Sequence, residues 1–463
     1  MALTDLRGDP VSTANRASLD GYEKALAEFN CYVGDPLATI NGVLEADPSF
    51  VMGHALRAHL LLLSTEKAAE PELRKSVEAA EALSNHANER ERGHVRAARA
   101  WLDGDYQGTP DLLEKVLTDH PRDLLALQVA HLTDFFVGDS QSLRDRVARV
   151  LPAWDAKMPA FGIVHGFHAF GLEEMGDYKG AEKEAKLAIE RNPKDVWAIH
   201  AFAHVCEMQA RHKEGMAWYE GREADWGANN FFKVHNWWHL ALYYLDRGDS
   251  AKALAFYDGP IRAERSRVPV DLVDAAAMLW RFHLLGVDCG RRWDELADLY
   301  AAQAEDCYYA FNDAHGMMCF VGAGRDADAE RLLRAQERYI QTSAGTNAMM
   351  TRDVGLPVCR ALRAYGAGDY GTVIDLLMPV RNKAHRFGGS HAQRDLLTLT
   401  MIMAALKGGR FGAARALANE RIALKPKSAS GHAFLAEAFA GLGEARAAKA
   451  AARKAAALRG PLH

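Results

Sequence analysis

The heptapeptide "MGDYKGA", residues 175–181, decides the fold, because its pattern returns along the chain. It reappears as "DGDYQG" (103–108), "RGDSAKA" (247–253), "AGRDADA" (323–329), "AGDYGTV" (367–373) and "GGRFGAA" (408–414). Apolar residues at helical spacing flank every copy, so each reads as the tight turn of a helical hairpin. Gly104 and Gly138 stand 34 residues apart, as do Gly409 and Gly443. Pro121, Pro193 and Pro426 each fall 17 residues after a turn glycine, where proline ends the second helix. Small residues stand five after the turn at Ala181, Ala253, Ala329 and Ala414, where two helices must approach closely. A 34-residue helix-turn-helix period is the tetratricopeptide (TPR) signature.

Period-two alternation is missing over any useful length, so strands are not expected. The fold class read from the sequence is therefore all-α, a TPR-like α-solenoid or superhelix of about eight to ten hairpins forming a single domain over 1–463. Irregular connections are expected near 258–271, 286–292, 342–353 and 385–395. The Ala-rich C-terminal stretch reads as a capping helix.

Composition narrows the function. The net charge of -5 is dispersed among 56 basic and 61 acidic residues, which leaves no basic face for phosphate backbones, so nucleic acid is not the expected partner. No apolar run approaches a membrane span, and the opening residues resemble no signal peptide; a cytoplasmic location is expected, with no membrane partner. The six cysteines stand singly and read as reduced thiols. Phosphate loops, nucleophile elbows and dinucleotide fingerprints are all missing.

The repeat puts every helix in a common phase. TPR first helices line a concave groove at about 13, 10, 6 and 3 residues before the turn. With Ala210 in the turn-glycine position, His200, His204 and Glu207 fall at 10, 6 and 3. Counting back from Gly248 gives His235 and Trp238, and from Gly104 it gives Glu91, His94 and Trp101. Gln128, Phe135 and Glu173 take the same places before Gly138 and Gly176. A second echo places Asn236 and His239 twelve and nine residues before Gly248, and Asn312 and His315 likewise before Gly324. His54, His59, His86, His120, His131, His212 and His432 read as ordinary hydrogen-bonded histidines, and His165 and His168 face interhelical packing. His200, His204, Glu207, His235 and His239 would cost desolvation energy on adjoining helices unless they served a site.

Four segments, "HAFAHVCEM", "HNWWHLALYYLDRGD", "DAHGMM" and "GGSHAQRD", resemble motifs of the tetratricopeptide repeat protein 38 family, over roughly residues 20 to 460. The resemblance implies an irregular helical repeat protein and brings no settled activity. It marks His200, His204, Glu207, His235, Asn236, His239, Asp313, His315, His391, Gln393, Arg394 and Asp395. In "GGSHAQRD", Ser390 reads as an N-cap, His391 and Asp395 stand at i, i+4, and Arg394 offers a fork for a carboxylate or phosphate.

Three functions follow. The leading expectation is a small-molecule pocket with histidine acid–base chemistry of hydrolase, lyase or isomerase type. His200, His204, Glu207, His239 and His315 would be its catalytic groups, with His235, Asn236, Trp238, Asp313, His391, Gln393, Arg394 and Asp395 binding substrate. The alternative is a scaffold holding a peptide or protein partner. A third reading makes His200, His204 and Glu207 a divalent-metal face completed by His235 or His239.

Overall fold

The computed structural model describes residues 3–460. Among them stand 26 α-helices, with a few short 3-10 and π turns. The one departure from an all-helical chain is small. Leu3–Thr4 pairs antiparallel with Pro10–Val11, and Val33 bridges to Asn230. Strands of two residues leave no trace of alternation in a sequence.

The recurring turn has a local cause. Gly104, Gly138, Gly176, Gly248, Gly324, Gly368, Gly409 and Gly443 all take positive φ, between 66° and 88°. That conformation favours glycine and ends a helix in a left-handed cap. The aspartate that follows explains the "GD" dipeptide: Asp139, Asp177, Asp249 and Asp369 each accept a hydrogen bond from the backbone N–H three residues on and so cap the second helix. Ala210 occupies the same turn position at φ 53° with no glycine. Ala181, Ala253, Ala329 and Ala414 are buried where the paired helices meet.

The chain divides into two compact units. The first runs to Phe202 and adds Arg222–Lys233 and Gly345–Asn347. Its hairpins include Glu89–Leu102 with Gly108–Asp119, Leu124–Val137 with Ser140–Val150, and Phe161–Glu174 with Tyr178–Arg191. A buried ion network ties the N-terminal hairpin to it: Arg90 reaches Asp5 at 3.0 Å and Asp123 at 2.6 Å, and His94 joins Asp123 to His59.

The second unit holds Ala203–Gly221, Val234–Ala344 and the chain from Ala348 onward. Its first helices include Lys233–Asp246, Pro269–Leu284, Ala310–Gly322, Leu356–Gly366, His391–Lys407 and Ala429–Gly441. Two expected loops are more ordered than read. Within 342–353, only the residues around Gly345 leave the helix, since Thr346–Met350 runs through a π turn into Leu356–Gly366. Within 385–395, the 3-10 segment Arg381–Phe387 meets Gly388 and Gly389 at positive φ, and a helix begins at His391. The 258–271 connection is a π turn at Tyr257–Ile261 followed by irregular chain up to Pro269.

Candidate functional site

The site belongs to the second unit. Val196–Met208 carries His204 and Glu207, Lys233–Asp246 carries His235, Trp238 and His239, and Pro269–Leu284 carries Asp274 and Arg281. All seven are buried. Helical spacing aligns His235 with His239 and Asp274 with Arg281, one and two turns apart on one face.

These side chains form a line. Asp274 Oδ2 lies 2.8 Å from His235 Nδ1, and His235 Nε2 lies 3.1 Å from His239 Nε2. His239 Nδ1 stands 3.3 Å from Glu207 Oε2, and Lys425 Nζ donates to Glu207 Oε1 at 3.2 Å. The ring of His204 is 4.5 Å from that of His239, centroid to centroid. One ring nitrogen from each of His204, His235 and His239 comes within 4.8 Å of the others.

Electrostatics set the charge states. Burial opposes the ionisation of Glu207, yet Lys425, with His204 and Arg281, holds it below the ordinary carboxylate range. Burial pushes Asp274 up, against the pull of His235. His239 is driven well below the usual histidine range by burial and by the neighbouring His204 and His235, so its imidazole is neutral. Burial also pushes Arg281 down, opposed by Asp395, Glu207 and Asp246.

Arg281 is unusual among the buried cations. It donates to the carbonyls of Ala392 and Ala277 and lies 5.1 Å from the ring centroid of Trp238, which stacks on His235. Among the described residues, no carboxylate oxygen lies within 4.0 Å of it. Arg421, by contrast, is paired with Asp395.

The remaining expected residues have partners of their own. His200 sits one turn before His204 on the same helix, but the division of the chain falls between them. In the first unit its ring stacks on Phe170 at 5.4 Å, with Phe232 edge-on at 5.1 Å and Trp197 at 5.3 Å. Asn236 accepts from the Tyr219 hydroxyl at 2.9 Å. Asp313 accepts from Gln336, and burial raises it to about 7. The Nδ1 of His315 faces the Phe311 carbonyl at 2.8 Å, and burial lowers the ring to about 4. Gln393 and Ser390 form a capping box at the start of His391–Lys407, so the glutamine expected to bind substrate holds a helix end. Arg394 donates to the Gly389 carbonyl, and Asp395 takes Arg421. His391 opens that helix, half-buried.

The groove positions are themselves closed. Glu91, His94, Trp101, Gln128, Glu173, His204, Glu207, His235 and Trp238 are all buried. Glu207, expected as a metal ligand, already has Lys425 on one oxygen and His239 beside the other, which makes it a neighbour of the imidazoles. Sequence reasoning missed Asp274, Arg281 and Lys425. The signal for the first two was present: "DLVDAAAMLWRFHLL" is an apolar helix that nevertheless keeps a carboxylate and a guanidinium seven residues apart.

The chain is a TPR-like helical repeat protein. No family model matches it. Solved structures similar to it share little sequence. The human IFIT1 dimer with PPP-AAAA gives a TM-score of 0.40 at 13% identity, covering 89% of this chain and 91% of that one. Yeast Tom70 gives 0.33 at 13% identity, covering 96% and 92%. The APC/C hetero-tetramer Cut9-Hcn1 gives 0.28 at 12% identity, covering 96% and 94%. These likenesses are slight and carry no argument about function; the fold stands on the repeat geometry. Among the described residues, no helix is long and apolar enough to cross a membrane.

Proposed function

We propose that the second unit holds a small anionic molecule and that its imidazole cluster performs acid–base or hydrolytic chemistry on it. The observation that carries this reading is the buried series Asp274, His235, His239, Glu207, Lys425, hydrogen-bonded at every step but the 3.3 Å approach of His239 to Glu207. Burying charged and polar groups in series is a costly way to fill a core, since well-packed apolar residues of similar volume stabilise as well or better. Such a line earns its place by moving or holding protons.

Arg281 supports an anionic ligand. Its planar fork is buried beside Trp238 without a carboxylate in contact, and a ligand carboxylate or phosphate meets it bidentately. The imidazole of His239, kept neutral by its surroundings, retains a lone pair for a proton or an electrophile. Because every member is buried, the ligand enters through local opening of the hairpins, and reclosure excludes water from the reaction.

The test is calorimetric titration of the folded chain with inorganic phosphate and with short mono- and dicarboxylates, repeated on Arg281→Lys and Arg281→Met. Saturable binding by the wild type that weakens in Arg281→Lys and disappears in Arg281→Met supports the site. Absence of binding across the panel, with a peptide or protein co-purifying stoichiometrically, returns the chain to the scaffold reading.

A further inference from the structure

We infer that His204, His235 and His239 form a three-nitrogen site for a divalent transition metal of the zinc type, a step that deepens the small-molecule reading by naming what occupies its imidazoles. Three observations converge on it. The first is geometric: one nitrogen from each ring falls within 4.8 Å of the others, and His235 and His239 sit at i, i+4 on one helix with the third ring supplied by the helix beside it. The second is the separation of 3.1 Å between the two Nε2 atoms. Nitrogens bound to one tetrahedral zinc at about 2.0–2.1 Å stand roughly 3.3–3.4 Å apart, so this pair needs almost no movement to share an ion.

The third observation is the placement of the protons. Asp274 at 2.8 Å places the His235 proton on Nδ1, and the charge of Glu207, 3.3 Å from His239 Nδ1, favours the same tautomer there without a hydrogen bond between the two atoms. Both Nε2 atoms then present lone pairs to one another, and a cation between them removes that repulsion. A carboxylate behind two of the three imidazoles, Asp274 at His235 and Glu207 beside His239, is the outer-shell arrangement that orients histidines at metal centres.

Charge is compatible with this placement. Arg281 and Lys425 oppose a nearby dication, but Glu207, Asp246 and Asp395 offset them together with Arg421. Imidazole nitrogens suit zinc, copper, nickel or cobalt. Glu207 stays outside the coordination sphere because Lys425 holds one of its oxygens.

Elemental analysis of the full untagged chain, purified without chelator, is the first measurement, followed by cobalt(II) titration of the chelator-stripped protein. The inference expects about one metal ion per chain. It also expects visible cobalt bands of a tetrahedral, nitrogen-rich site, both lost in His235→Gln/His239→Gln with the helical circular dichroism retained. Asp274→Asn keeps all three ligands, so it serves even where the double variant does not fold. Its cobalt affinity should fall by about ten- to a hundredfold. A folded wild type that carries no metal and gives no saturable cobalt spectrum overturns the inference, as does metal retained undiminished in the double variant. Metal without any anion binding would leave the inference standing and sink the small-molecule reading, whereas anion binding to a metal-free chain would do the reverse.

Discussion

Replacing Lys425 by Met is the sharpest perturbation of the buried line. The ammonium and the Glu207 carboxylate stand 3.2 Å apart, with the two side chains 7% and 6% exposed. Without Lys425, Glu207 keeps its charge only against the full burial penalty, and a buried ion stripped of its partner costs about 3–5 kcal/mol. Glu207→Gln alone strands the ammonium and should cost a similar amount. The double variant removes both charges, so its loss should fall short of the summed single losses by about 2–3 kcal/mol. The pH dependence gives a second signature. In the wild type Glu207 lies below the ordinary range, so its contribution is present above 4.5 and fades as pH falls through the folded value. In Lys425→Met the largest charge opposing burial is gone and Glu207 rises, so the deficit should be largest near pH 8 and shrink as the carboxylate takes a proton. Urea denaturation followed by circular dichroism at pH 8 and pH 5 reads both effects. Single losses that simply add, with no dependence on pH, would refute this account of the pair.

Two further outcomes follow from particular residues. Asp313→Asn should stabilise the chain, because burial raises that carboxyl from its ordinary 3.8 to about 7 and the folded state resists ionising it. The gain should be about 4 kcal/mol at pH 8 and shrink as pH falls from 7 toward 3.8; an equal gain at pH 8 and pH 4 contradicts the burial argument. Ala210→Gly should add about 1 kcal/mol by relieving a left-handed alanine at φ 53°, read as a higher melting temperature, and a lower one would mean that the flexibility of glycine in the unfolded chain outweighs the relief.

The turn chemistry made the fold legible. Glycine at positive φ followed by a capping aspartate is a local rule, and Gly138–Asp139, Gly176–Asp177, Gly248–Asp249 and Gly368–Asp369 obey it. Helical phase was equally local and set His204, Glu207, His235 and His239 on inward faces, but their convergence depends on the twist between hairpins, which spacing does not carry. The partners of these residues could not. Lys425 meets Glu207 across 218 residues of sequence, and Asp274 meets His235 across 39. Phase also gave direction without depth: it placed eleven residues on groove faces, but packing buried all of them except Phe135, which is half-buried. Gln393 shows the opposite limit, where a motif residue marked for binding turned out to serve the start of its own helix.

The central claim is that the imidazoles of the second unit are chemically set by their carboxylates and are not ordinary core packing. Long-range 1H–15N correlation spectra of ring-labelled histidine, assigned with the His235→Gln and His239→Gln variants, read the tautomers directly. The account predicts the tautomer with the proton on Nδ1 and a bare Nε2 in both His235 and His239. A His239 ring protonated at Nε2 and donating to His235 would contradict it, as would an imidazolium at His239 at pH 7.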